Sequence, residues 1–363
     1  MSAGDVWNVD QSSFPPVVAV PARDEEERLP YLIAALGAQR PDGMFRQPLP
    51  VVLLLSNCRD RSREVARNAA ARFPSIALTL LEIELAPEAA HAGGARSLAM
   101  NAASYLAPTG GVILTTDADA IPSPSWIAEN LRAVAAGADL VGGRLIGDPA
   151  EEAELDPGVI RRARAVCRYH DLCDELAALI DPLPYDPWPR HHDHTGGSLA
   201  VRADVYRALG GMEPVPFRED LRFVAKARAA GYRLRHPTAV EIVVSARLDG
   251  RASGGMADCL KRWRSDEAEA RPLLVEAPES VEARLWLRHA IRGFRASPGE
   301  EEIRPRGAPP PWQEATSMRW SPTALIERYA ADDPDAPGIV PASVAIEIVS
   351  RRIEELKADA NAA

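Results

Sequence analysis

Asp117-Ala118-Asp119 directly follows the apolar run Val112-Ile113-Leu114-Thr115-Thr116. Residues i and i+2 at a strand end point the same way, so two carboxylates can face one site. Paired hard oxygens suit Mg2+ or Mn2+, which bind few protein carboxylates and fill their shell with substrate phosphates. Glu219-Asp220 opens a helical stretch after Gly210-Gly211-Met212-Glu213-Pro214. An acid there either caps the helix or takes a proton from a hydroxyl group. His191-His192-Asp193-His194 precedes Thr195-Gly196-Gly197, with no Cys/His set elsewhere at zinc-finger spacing. It reads as a loop lining an acceptor pocket, with one His in reach of a metal, or as an exposed loop. Arg247 and Arg251 follow another strand and could grip phosphate or carboxylate, a surface ion pair being the alternative. Arg96, just after Gly93-Gly94, has the same two readings.

These residues need elements to hold them. Val17–Val20 is a short apolar run, and Leu29, Leu32, Ile33 and Leu36 repeat at the helical spacing i, i+3, i+4, i+7. Asp24 to Glu27 are expected in that helix's first turn, where acids suit the positive end of the dipole. Strands are expected at Val51–Leu55, Ile76–Leu85, Val112–Thr116 and Asp139–Ile146, with helices over Ser62–Phe73, Ala95–Leu106 and Trp126–Ala136. Strand–helix alternation at this spacing predicts a mostly parallel sheet flanked by helices. Ligands of such sheets bind at the carboxyl ends of the strands. Pro21-Ala22-Arg23-Asp24, Ser56-Asn57-Cys58-Arg59-Asp60 and Asp117-Ala118-Asp119 all sit there. Further on, Ile160–Ile180 reads as a helix, the proline-rich 181–189 as a loop, Gly196–Arg202 as a strand, Glu219–Ala230 as a helix and Val240–Ala246 as a strand. Beyond Trp263 the pattern is helical, broken by prolines at 305–311, and it ends in a helix with Ile346, Val349, Ile353 and Leu356 on one side.

Composition narrows the function classes. The 363 residues are 46% hydrophobic, ample for a core, and carry 52 Asp+Glu against 42 Lys+Arg, a net charge of −10. That balance argues against nucleic acid or an anionic membrane as partner. No apolar run approaches the ~20 residues of a membrane span. The first 14 residues carry Asp5 and Asp10 and lack a basic n-region, so no signal peptide is expected. Four scattered cysteines without a CxxC pair suggest reduced thiols and a cytoplasmic protein. A P-loop, a dinucleotide GxGxxG, a GxSxG elbow and an HExxH are all missing.

Taken in order, these segments resemble the family 2 glycosyltransferases, which have a GT-A fold. The likeness runs from about Pro16 to Trp263. VVAVPARDEEERL (17–29) looks like the family's opening strand and nucleotide loop, with Asp24 where Asn is usual. Ser56 to Ser62 is similar to its second-strand loop, Gly94 to Ala99 to its Ala-Arg helix start, and Asp117-Ala118-Asp119 to its DxD. Gly197 to Arg202, Leu209-Gly210-Gly211 and Glu219-Asp220 resemble the acceptor region. Cys259 replaces Gln in the QxxRW motif of processive members, which points to single transfers.

The resemblance implies a glycosyltransferase domain over 1–263, with a nucleotide half at about 16–146 and an acceptor half at about 147–263. Residues 264–363 lie outside the resemblance and read from their own pattern as a mainly helical extension that covers the acceptor site or joins two copies as a homodimer. The resemblance also implies a nucleoside-diphosphate-sugar donor, a hydroxyl acceptor, Mn2+ or Mg2+, and inversion by direct displacement. Pro21, Ala22, Arg23, Glu25, Asn57, Asp60, Arg96, Asp117 and Ala118 would contact the nucleotide. Asp119, with Asp117, would hold the metal. Asp220, beside Glu219, would be the base. His194, Gly196, Gly197, Arg247 and Arg251 would face the acceptor or diphosphate. The rivals are a haloacid-dehalogenase-type phosphohydrolase, whose DxD belongs on the first strand, a sugar nucleotidyltransferase, whose Gly-rich first loop is missing, and a sugar-nucleotide-binding protein without catalysis.

Overall fold

A computed structural model describes residues 14–250, 254–293, 321–334 and 336–362. Two compact units form. The first comprises the described parts of Met1–Leu155, His191–Val224 and Arg233–Lys261, the second those of Asp156–Arg190, Ala225–Tyr232 and Arg262–Ala363.

The first unit opens with β1 (Pro16–Ala22), α1 (Leu29–Gly37), β2 (Leu49–Ser56), α2 (Ser62–Ala70), β3 (Ile76–Ile83), α3 (Ala92–Leu106) and β4 (Val112–Thr116). It continues through β5 (Ile121–Pro122), α4 (Trp126–Ala135), β6 (Leu140–Gly142), β7 (Arg144–Gly147) and the short α5 (Pro149–Glu152). After α6 (Pro157–Ile180), which belongs to the second unit, come β8 (Ser198–Arg202), α7 (Ala203–Ala208), α8 (Glu219–Ala229, which from Ala225 belongs to the second unit), β9 (Leu234–Arg235) and β10 (Glu241–Val244).

Seven strands form the central sheet in the order β3-β2-β1-β4-β8-β6-β9. The pairs β1–β2, β1–β4, β2–β3 and β6–β9 are parallel, whereas β8 runs antiparallel to both β4 and β6. The mostly parallel α/β sheet expected from the alternation is therefore present. Val18, Val20, Val112 and Leu114 share one buried cluster with Leu29, Leu32, Ile33 and Leu36 of α1 and Trp126, Ile127 and Leu131 of α4. Strand period two and helix period 3.6 meet in that layer. Helix α3 packs on β1, β2 and β4 through small buried residues, Ala95, Ala99 and Ala103.

The strand expected over Asp139–Ile146 divides into β6 and β7, which lie in different sheets. Gly142 and Gly143 explain the break. A Cβ on Gly142 would lie 2.1 Å from the Asp193 carbonyl oxygen, and one on Gly143 2.0 Å from Ser198 Oγ. Only bare backbone passes that closely, and beyond it β7 pairs in parallel with β10, which also pairs with β5.

The second unit adds α9 (Met256–Ala268, which begins in the first unit), β11 (Leu274–Val275), α10 (Pro278–Gly293), α11 (Pro322–Tyr329), β12 (Val340–Pro341) and α12 (Ala342–Ala362). Asp156 caps α6 by accepting from the Gly158 amide at 2.6 Å. Tyr169, Leu172, Leu176 and Ile180 of α6 form one cluster with Ala345, Val349 and Ile353 of α12, and Ile346 and Leu356 pack against it. The apolar stripe expected on the last helix is thus its packing face. The proline-rich stretch 305–311 lies outside the described residues. Among the described residues no helix is long and apolar enough to cross a membrane, and none of the four cysteines is in a disulfide.

Candidate active site

Parallel pairing sets the carboxyl ends of β1, β2 and β4 next to one another. Strand β4 is buried throughout and delivers Asp117, Ala118 and Asp119 at its end. Arg96, from the first turns of α3, reaches under this end with a side chain only 6% exposed. Its Nη2 donates to Asp117 Oδ1 at 2.5 Å, its Nε to Glu219 Oε1 at 3.0 Å, and its Nη1 to Thr115 Oγ1 at 3.1 Å and to the Gly196 carbonyl at 2.8 Å. Burial works against its charge, but Asp117 and Glu219 more than offset that and push its pKa up.

Glycines make this gathering sterically possible. A Cβ on Gly93 would lie 2.0 Å from the Val215 carbonyl oxygen, so the chain leading to Glu219 can lie against the start of α3 only over a glycine. A Cβ on Gly196 would lie 2.4 Å from the Arg96 guanidinium carbon. The Gly196 amide in turn donates to Asp220 Oδ2 at 2.5 Å, while the Leu221 amide donates to Oδ1 at 2.7 Å. One residue, Gly196, therefore joins Asp220 to the Arg96 network. Gly197 faces Asp117 Oδ2, 3.5 Å from where its Cβ would be.

Asp119 has a different cation. Arg247 Nη2 lies 2.9 Å from Asp119 Oδ2 and 2.9 Å from Glu25 Oε1, and its Nη1 donates to Glu25 Oε2 at 3.3 Å. Burial, then the neighbouring charge of Asp117, raises the Asp119 carboxyl to about 6, with Arg247 pulling the other way. The loop bearing Arg247 is anchored on Glu151, which accepts from Ser245 Oγ at 2.8 Å, from the Ala246 amide at 2.7 Å and from Arg28. Neither Glu151 nor Arg28 stands out in the sequence, because each is one charged residue in a polar run.

Helix α1 starts at Leu29, with no acid in its first turn. Asp24 to Glu27 lie before it in turns, which corrects the dipole reading. Asp24 Oδ1 accepts from the Arg59 amide, Glu26 Oε2 accepts from the Arg61 amide, and the Glu25 amide donates to Ser62 Oγ. These bonds tie the β1 loop to the β2 loop. Asp24 and Asn57 both adopt φ 52°, a left-handed backbone that short polar residues tolerate best. Asn57 faces the end of β3, donating to the Leu85 carbonyl and accepting from the Leu85 amide. Asp60 accepts from the Glu26 and Ser62 amides at 2.9 Å each; against the effect of burial, its bonds with Ser62 hold its pKa down.

Pro21 and Ala22 end β1, and Arg23 is exposed with Nη1 3.4 Å from the Ala90 carbonyl. His194 Nδ1 lies 3.1 Å from His236 Nε2, and the buried His191 stacks edge-on to His236. Burial, then the charge of His236, lowers His191 to about 4. His236 was not singled out by sequence, being isolated there. Arg251 lies outside the described residues. Asp24, Cys58 and Asp60 also bring ligand atoms within 4.8 Å of one another. Burial raises the Cys58 thiol, which disfavours the thiolate a metal needs.

Residues 17–172 match the model for glycosyl transferase family 2. This segment is similar to the family 2 glycosyltransferases. The match spans β1 to β7 and ends inside α6, so Gly196, Asp220 and Arg247 lie beyond it. No curated protein matches the chain. Among solved structures, a mannosyltransferase from Pyrobaculum calidifontis in complex with GDP-Man and Mn2+ is similar over 96% of this chain and 83% of its own, at 20% identity and a TM-score of 0.47. A Mycobacterium tuberculosis glucosyl-3-phosphoglycerate synthase in complex with Mn2+, uridine diphosphate and phosphoglyceric acid is similar over 71% and 80% of the two chains, at 14% identity and a TM-score of 0.40.

Proposed function

We propose that the chain transfers a sugar from a nucleoside-diphosphate-sugar to a hydroxyl acceptor, one transfer at a time and with inversion, using Mn2+ or Mg2+. The observation that carries this reading is the convergence of Asp117, Glu219 and Asp220 on Arg96 at the strand ends of a family 2 segment.

The residues present fit a divalent ion. Asp117 and Asp119 offer hard oxygens, and Asp119, with a side chain 22% exposed, already draws a guanidinium to 2.9 Å. Bound there, the ion would supply positive charge against the departing diphosphate. Asp220 accepts the proton of the attacking hydroxyl, and the amides of Gly196 and Leu221 hold its carboxylate in place. A single base on the attacking side leads to inversion. Arg96 and Glu219 act as positioning residues: both are buried and bonded to each other, so their role is to set Asp117 and Gly196. Pro21, Ala22, Arg23, Glu25, Asn57, Asp60 and Ala118 border the nucleotide position, and His194, Gly197 and Arg247 the acceptor and diphosphate side. The phosphohydrolase reading needs its first Asp free as nucleophile, whereas Asp117 here is on β4 and paired with Arg96.

Calorimetry tests the reading. Nucleoside diphosphates should bind wild type far more tightly with Mn2+ than with EDTA, and Asp119→Ala should remove that difference while the melting curve persists. Equal affinity in EDTA and Mn2+ would overturn the metal-dependent reading.

A further inference from the structure

Arg247 is 222 residues away from Glu25 in sequence, yet its guanidinium lies between the Glu25 and Asp119 carboxylates. Arg247 Nη2 lies 2.9 Å from Asp119 Oδ2, and both side chains are largely buried. Glu25 is itself 6% exposed and faces the same guanidinium through both oxygens. A carboxylate pair so placed is poorly solvated and needs a positive charge.

We propose that Arg247 is a built-in counter-ion at the metal position, which must release Asp119 before a divalent ion can bind it. The inference rests on the reading of Asp119 as a metal ligand and goes beyond it, because it sets the order of binding. A divalent ion arriving alone has to displace the guanidinium and leave two like charges within a few ångströms in a partly buried site, which is unfavourable. An ion arriving with a diphosphate brings the anion that Arg247 can turn to. Arginine suits this exchange, since its planar fork pairs with a carboxylate or a phosphate equally well. Only the side chain has to move: Ser245 and Ala246 stay fastened to Glu151, and Arg28 holds Glu151 from the other side. The result is positive coupling. Metal and diphosphate each bind weakly alone and strengthen one another, and the coupling resides in Arg247.

The test is direct binding of Mn2+ to the full-length, nucleotide-free protein, followed by the free-Mn2+ signal in electron paramagnetic resonance. Arg247→Gln removes the charge and should bind Mn2+ alone at least about tenfold more tightly than wild type, because the competing cation is gone. Its affinity for diphosphate with Mn2+ present should fall, since the anion loses its arginine. Arg247→Lys keeps the charge and should stay near wild type for Mn2+ alone. Melting temperature checks the same point independently of any folding defect: Mn2+ should raise it more in Arg247→Gln than in wild type. Adding Asp119→Asn to Arg247→Gln should abolish the gain. Equal or weaker Mn2+ affinity in Arg247→Gln overturns the counter-ion while leaving metal-dependent donor binding intact. Absence of Mn2+ binding by every variant, with and without diphosphate, overturns both readings together.

Discussion

Arg96 in the first unit and Arg288 in the second are both buried arginines facing acids, and their environments act in opposite directions. Arg96 meets Asp117 and Glu219, and its pKa is raised despite burial. Arg288 pairs with Asp332 at 2.8 Å and has Glu327 near it, but burial, with Arg228 and Arg284 also close, prevails and its pKa is lowered. The partners differ too. Arg288 donates to the Ala330 carbonyl just past α11, and Arg284 grips Glu276 through both oxygens before α10. Arg292 pairs with Asp181 at the end of α6. Those arginines fasten helix ends to one another. Arg96 instead collects acids at strand ends where a ligand can reach them, Asp117 being 42% exposed.

The largest expected effect separates chemistry from scaffolding inside the Arg96 network. Asp220→Asn keeps the size of the side chain and one of the two amide bonds from Gly196 and Leu221 but loses basicity, so turnover should fall by about 10²-fold or more. Nucleotide affinity should change little in the same variant. Wild-type turnover in Asp220→Asn would remove the base from Asp220. Nucleotide binding by wild type without transfer to any hydroxyl acceptor would favour the binding-protein reading.

Next come the two arginines themselves. Arg96→Met strands Glu219 in a buried place and should cost about 3–5 kcal/mol in urea unfolding. Arg96→Lys should recover part of that stability but little turnover, since an ammonium cannot fork to Asp117, Glu219 and Gly196 at once. Arg288→Met should cost less, about 1–2 kcal/mol, because its partner Asp332 is 59% exposed and can be hydrated. Donor affinity should be unchanged in that variant. If Arg288→Met weakened the donor as much as Arg96→Met, the contrast between the two networks would fail.

The smallest effect concerns pH. His191 titrates near 4 in the folded chain against about 6.5 unfolded, so the unfolded state binds more protons between those values. Its contribution is present above about pH 6.5 and is lost as pH falls toward 4. His236, His192 and Asp193 share this pocket. Stability of wild type and His191→Gln, followed by urea titration from pH 7 to pH 4, should converge at the acid end. Parallel curves would show that His191 is not the group responsible.

Much of the fold was legible because its signals are local. The period-two runs of β1, β2 and β4 and the 3.6-residue stripe of α1 are set within a single element, and Asp117-Ala118-Asp119 sits at a strand end by spacing alone. The role of Glu25 was less legible. A run of four acids before a helix suggests a dipole, yet the helix begins at Leu29 and Glu25 turns to Arg247. The break between β6 and β7 was hidden as well, since Val141-Gly142-Gly143 continues an apolar strand pattern until Asp193 and Ser198 come within reach of its backbone.

The amino-acid sequence by itself determined the alternation of strands and helices, the acids at the strand ends and the basic residues available to meet them. Pairings across 123 residues, Arg96 to Glu219, and across 222, Arg247 to Glu25, were decided only by the tertiary structure. The physical reason is that periodicity records which face of an element is buried, while a charge pair depends on which elements become neighbours. That choice was made when β8 inserted between β4 and β6 and β10 left the central sheet to pair with β7.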